Sequence, residues 1–222
     1  MPKRFDEDRE RLKGTVLSMG ALAEQMIRRA SQVLTDWDAA PIRRVLEDED
    51  KLDQFQRDVD NETVRLIGVY TPVARDLRML LMVTRINAEL ERIGDQSVNV
   101  CYGVQEMLGQ EPLKPLVDLP RMATIAADML RGALDAFAAG SVEKAREVIQ
   151  ADDGVDQLND QVFRELLTYM MADPRAVGPA LGLILAGRAF ERIADHAVNI
   201  AEDVVYIVEG QDIRHTAKDG QG

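Results

Sequence analysis

Two stretches of this chain, "LERIGDQSVNV" (90–100) and "FERIADHAVNI" (190–200), share the string E-R-I-x-D-x-x-V-N one hundred positions apart. An internal copy constrains a fold strongly, because each copy has to build the same local structure and bury the same face. Glu91, Asp95 and Asn99 are matched by Glu191, Asp195 and Asn199, at the spacing of one helix face. The apolar positions repeat as well. Val83, Ile86, Leu90, Ile93, Ser97, Val100, Val104 and Met107 correspond to Leu183, Ala186, Phe190, Ile193, Ala197, Ile200, Val204 and Ile207. Alternating steps of three and four residues predict two long amphipathic helices.

The remaining chain falls into the same pattern. Leu12, Val16, Met19, Ala23, Met26, Ala30 and Val33 form one stripe of a first helix. "TDWDAAP" (35–41) breaks it, and Pro41 opens a second helix that carries Leu52, Phe55, Val59 and Leu66 inward to about Val69. "YTP" (70–72) is the next break, with Thr71 expected as N-cap and Pro72 at the first position of the third helix. "GQEPLKPLVDLP" (109–120) holds three prolines and reads as the connection between halves. Three more helices follow, over about 120–138, 141–171 and 174–208. The expectation is an all-α chain of six helices in two tandem, pseudo-symmetric three-helix bundles. They occupy 1–110 and 120–209, with a Pro-rich linker at 111–119 and a polar tail at 210–222.

Composition narrows the function. Formal net charge is −12 with a pI of about 4.7, a field that repels phosphate backbones, so nucleic acid is not an expected partner. The longest apolar run, "AVGPALGLILAG" (176–187), is too short to cross a bilayer, so no direct membrane insertion is expected. The charged start "MPKRFDEDRERLKG" reads as no secretory signal. The single Cys101, placed on an apolar helix flank, fits a reducing compartment. Together these point to a cytoplasmic protein.

The acids themselves are the candidate site. On a helix, Glu91, Asp95 and Asn99 lie within about 80° of arc, away from the apolar stripe. The second helix of each half adds another pair. "EDEDKLDQF" (47–55) and "QADDGVDQL" (150–158) share D-x-x-D-Q and give Glu49 with Asp53 and Asp152 with Asp156. Folding each pair of helices antiparallel about the turns at Pro72 and at Asp173–Pro174 brings Asp53 level with Glu91 and Glu49 with Asp95. It likewise brings Asp156 level with Glu191 and Asp152 with Asp195. Any one acid pair is an ordinary solvated helix face, with Arg85 and Arg188 near enough to neutralise part of its charge. Recurrence of both pairs at matching heights argues instead for two carboxylate clusters. Oxygen-rich, cysteine-free sets suit hard or borderline cations such as Mg, Mn, Ca or iron, and His196, in place of Gln96, offers a nitrogen to iron or zinc. Asn99 and Asn199 are candidates to ligate weakly or to orient a carboxylate. His215, in the tail, reads only as a polar end residue. No H-E-x-x-H, E-x-x-H, Gly-rich phosphate loop or Ser/His/Asp set is present, so nothing asks for an enzyme.

Together with "PVARDLR" (72–78) and "VEGQDIRH" (208–215), the two copies of the E/D-x-x-x-D string resemble the PhoU family of phosphate-specific transport system accessory (regulatory) proteins. The resemblance covers nearly the whole chain. It implies the six-helix double bundle, a homodimer, and multinuclear metal clusters on the bundle surface. It further implies negative control of the phosphate-starvation response, acting between the ATPase subunit of a phosphate ABC transporter and a sensor histidine kinase. The inner membrane would be reached only through those partners. Two departures stand out. The second half reads "PRAVGPA" (174–180) where the first has "PVARDLR", and Gln96 stands where a histidine often follows the aspartate, so the first cluster is expected to be the weaker. Arg75, Asp76 and Arg78 are either a partner-docking patch or the charge set of a helix start. Alternative functions are a PhoU-like metal-binding scaffold for another transporter, such as a sodium–phosphate carrier, and a metal-dependent enzyme or metal store.

Overall fold

A computed structural model describes residues 3–109 and 111–214. Of the expected tail, residues 215–222, His215 among them, lie outside the described residues. Among the described residues the regular structure is six long helices and one 3-10 turn: α1 (Lys3–Asp36), α2 (Ala40–Tyr70), α3 (Ala74–Gln105), α4 (Asp118–Ala139), α5 (Val142–Ala172), the turn Pro174–Ala176, and α6 (Val177–Glu209). Every residue of the α1 stripe read from the sequence is buried, as are those of α3 and α6 apart from the half-buried Ile207 at the end of α6. Phe55 is only partly covered.

Helix ends follow local chemistry. The amide of Ala40 donates to the Asp38 carboxylate at 3.1 Å, and Pro41 sits in the first turn of α2. Gly140 ends α4 at φ +62° and Ser141 starts α5 by accepting from the Lys144 amide at 3.3 Å. Thr71 corrects the expectation drawn from the sequence. It does not cap α3 but ends α2 in a left-handed conformation, φ +43°, with its amide donating to the Ile67 carbonyl at 3.0 Å. Val73 then takes the N-cap position of α3, which leaves Pro72 outside the helix.

Each half is an up-down-up unit, and the halves are fastened along two antiparallel seams. α1 lies along α4, where Lys13 Nζ donates to the Ala138 carbonyl at 2.6 Å and Arg131 meets Glu24 at 2.7 Å. α3 lies along α6, held at one end by Arg85 Nε and Asp203 Oδ2 at 3.2 Å. At the other end the backbones close on each other, since a Cβ added at Gly182 would stand 2.4 Å from the Gly103 carbonyl oxygen. Glycine is needed there for close approach, not for its torsional freedom. The buried apolar residues of both halves form one continuous cluster. Cys101 belongs to it, fully buried, with its thiol pushed up to about 12 by desolvation.

Candidate carboxylate clusters

Glu91 and Asp95 come from α3, and Glu49 and Asp53 from the facing stretch of α2. Burial of Leu52, Leu90 and Ile93 at the α2–α3 contact turns these acids to the rim. They feel one another across the seam in the register read from the sequence. The Glu49 carboxyl is pushed up, first by partial burial and then by Asp95 and Asp53. That of Asp95 is raised by burial and by Asp53, and that of Glu91 by burial, Asp95 and Asp53.

The second half repeats the arrangement, with one acid more deeply buried. Asp152 is raised from 3.8 to about 6, mostly by desolvation, with the charges of Asp156, Asp195, Asp153 and Glu191 adding to it. Glu191 is raised by burial, Asp156 and Asp195, against a lowering influence from Arg188. Asp156 is likewise raised by burial. Glu191 Oε2 accepts a hydrogen bond from Asn159 Nδ2 at 2.7 Å, whereas Asp152 Oδ1 is buried and has no hydrogen-bond partner among the described residues. A buried carboxylate oxygen lacking a partner, surrounded by like charge, is a costly arrangement that a bound cation would relieve. Among the described residues, no three His, Cys, Asp or Glu side chains converge closely enough to form a ready metal cage. The donor chemistry therefore fits a hard cation, but the side chains stand further apart than direct coordination by three of them requires.

Several residues expected at these clusters are engaged elsewhere. His196 and Asn199 do not turn toward Glu191 and Asp195. They cross to α3, where His196 Nδ1 lies 2.7 Å and Asn199 Nδ2 3.1 Å from Oε2 of Glu89. The cause is that Glu89 is buried, 7% exposed, and needs donors. Its carboxyl nonetheless stays below the usual glutamate range, because the His196 and Asn199 hydrogen bonds and the charge of His196 outweigh desolvation. Among the described residues, Asn99 makes only a long contact with Gln96, 3.4 Å. Arg85 neutralises neither cluster, being paired with the fully buried Asp203.

Of the "PVARDLR" residues, Asp76 pairs with Arg9 at 3.3 Å. Arg78 donates to the Ile207 carbonyl and lies over the Tyr206 ring, while Arg75 is exposed. Arg78 thus ties the start of α3 to the end of α6, and Asp76 ties it to α1. The sequence reading missed Glu89 and Asp203. Both break the repeat, with Ala189 and Gly103 at the matching positions, and an acid on the buried side of a helix is a signal that could have marked them.

Comparison with known proteins places this geometry. The PhoU domain is matched twice, over residues 16–104 and 119–204. The phosphate-specific transport system accessory protein PhoU homolog of Pseudomonas aeruginosa is 37% identical over 215 residues, covering 96% of this chain and 88% of that protein. The Escherichia coli accessory protein PhoU is 33% identical over 216 residues, covering 97% and 90%. The crystal structure of PhoU from Pseudomonas aeruginosa superposes with a TM-score of 0.90 at 36% identity, over 93% of this chain and all of that one. The Streptococcus pneumoniae structure, at 23% identity over 94% and 99%, agrees in fold with a TM-score of 0.87. With both halves matched and the whole architecture shared, the chain belongs to the PhoU family.

Proposed function

We propose that this chain is a non-catalytic regulator of phosphate uptake and of the phosphate-starvation response, coupling the ATPase subunit of a phosphate ABC transporter to a sensor histidine kinase. The observation that carries the reading is the match of both halves to the PhoU domain, with relatives named as phosphate-specific transport system accessory proteins at 33–37% identity over most of the chain. PhoU proteins are regulatory accessories rather than enzymes. No helix among the described residues is long and apolar enough to cross a membrane. In this reading the protein is cytoplasmic and reaches the inner membrane through its partners.

Asp152, Asp156, Glu191 and Asp195 would hold a metal ion in the second half, and Glu49, Asp53, Glu91 and Asp95 one in the first. Iron, Mn, Mg or zinc would supply positive charge that lets the crowded acids ionise together and presents a switchable surface to a partner. Self-association into a homodimer is supported by the exposed Phe163, Leu167, Met171 and Leu181 on α5 and α6, an apolar group that a second copy would cover. The test is retention of this chain by the transporter's ATPase subunit, measured with added Mn2+ and with EDTA, for the native protein and for the Glu191→Gln/Asp195→Asn double variant. Metal-dependent retention that the variant loses is the expected result. Absence of retention under both conditions overturns the coupling role. Retention unaffected by metal or by the variant removes the clusters from it.

A further inference from the structure

The α3–α6 seam relates the two halves so that each residue corresponds to the one a hundred positions away, yet its two sides are not alike. On one side the Glu89 carboxylate is held by three donors: Arg92 Nη1 at 3.1 Å, His196 at 2.7 Å and Asn199 Nδ2 at 3.1 Å. Exchanging the halves converts these four positions into Ala189, Arg192, Gln96 and Asn99. All four line one groove of about 370 Å3 between α3 and α6. The groove therefore keeps a guanidinium and two amides in the places that hold a carboxylate opposite, while the acid itself is replaced by a methyl group.

One addition strengthens the positive character. Arg188 joins the lining where the first half has Ala88. Neither Arg188 nor Arg192 makes a hydrogen bond or ion pair among the described residues, although Arg188 lies near enough to Glu191 to favour its ionised form. Like charges four residues apart on a helix repel, and 39 acidic residues in the chain offer many partners that the fold does not supply here. The rim is apolar, formed by the exposed Leu185 and Tyr102.

We propose that this groove binds the carboxylate of an acidic side chain on a partner protein, at the position where Glu89 is held on the opposite side of the seam. The planar, hydrogen-bonded mode is that of Glu89, and the Arg188–Arg192 pair provides the charge complement. Leu185 and Tyr102 give an apolar residue beside the acid a surface to cover, a contact that a free anion cannot use.

The test follows the arginine Nε–Hε resonances of the 15N-labelled full chain during titration with N-acetyl-glutamate amide, N-acetyl-glutamine amide, N-acetyl-Leu-Glu-Leu amide and inorganic phosphate. The glutamate compound is expected to shift Arg188 and Arg192 saturably, with the glutamine compound about tenfold weaker. The tripeptide is expected to bind more tightly than the single residue, by about threefold or more. Ala189→Glu, which restores the missing acid from within, is expected to abolish binding and raise the melting temperature. Should that variant misfold, Arg192→Gln is expected to weaken the tripeptide about tenfold. Phosphate binding as tightly as the tripeptide would instead make the groove a free-anion site and overturn the proposal. Equal binding of the glutamate and glutamine compounds, equal binding of tripeptide and single residue, or no saturable shift at all would each overturn it as well.

Discussion

Replacing Asp152 by asparagine is expected to stabilise the metal-free protein at neutral pH. The aspartate is raised from 3.8 to about 6 in the folded chain by burial and by four neighbouring acids. At about 1.4 kcal/mol per pKa unit, keeping it ionised at pH 7 opposes folding by about 3 kcal/mol. Screening at the cluster's open rim reduces this to about 1–2 kcal/mol. The carboxamide of the variant keeps the shape and loses the charge, so the melting temperature at pH 7 in EDTA should rise by about 2–8 °C for a chain of this size. The pH dependence fixes the cause. An acid raised by folding is protonated in the native state before the unfolded one, so its penalty is absent below about pH 4 and grows as pH rises through 6. The gain from Asp152→Asn should therefore shrink toward zero at pH 4. Asp8 gives the opposite slope. Held down to about 2, chiefly by the Arg65 hydrogen bond, it loses its stabilising effect as pH falls from its ordinary value toward 2. Thermal unfolding in EDTA at pH 7 and at about pH 4.5, native against variant, measures the difference. A variant less stable at pH 7, or a gain equal at both pH values, would refute the reasoning.

Two further outcomes follow from the α3–α6 seam. Arg85→Leu, which installs the residue found at the matching position 185, leaves the fully buried Asp203 without its nearest cation and should cost about 2 kcal/mol at pH 7. Because the Asp203 carboxyl already stands near 6, mainly through desolvation, the loss should be smaller at pH 5 in denaturant titrations. Gly182→Ala drives a Cβ to 2.4 Å from the Gly103 carbonyl oxygen and should destabilise by about 2 kcal/mol or more, whereas Gly103→Ala, with 3.3 Å to the Gly182 carbonyl oxygen, should cost clearly less by the same measurement.

The helices and the carboxylate register were legible because both rest on periodicity. Leu12 through Val33 and the paired stripes of α3 and α6 needed only the 3.6-residue repeat, and the heights of Glu49 and Asp53 against Asp95 and Glu91 needed only the place of a turn. What escaped depends on which side chain reaches across a seam. Nothing local to His196 says that it would choose Glu89 over Asp195. The choice is made by the burial of Glu89 on a different helix, and by the demand of a desolvated carboxylate for donors. Thr71 failed for a different reason. The residue between Tyr70 and Pro72 can serve the helix behind it or the one ahead, and its left-handed backbone assigns it to the former.

A dimer of identical three-helix units would have to show the same side chains on both flanks of its interface, since any change appears twice. Covalent fusion of the units lifts that obligation. Glu89 and Ala189, Arg85 and Leu185, Asp203 and Gly103 have diverged independently, so one flank of the α3–α6 seam is filled with charge pairs and the other is an open groove. The duplicated chain consequently has a front and a back. A partner reading the groove meets each chain in a single orientation and in one copy, which a symmetric ancestor could not have enforced.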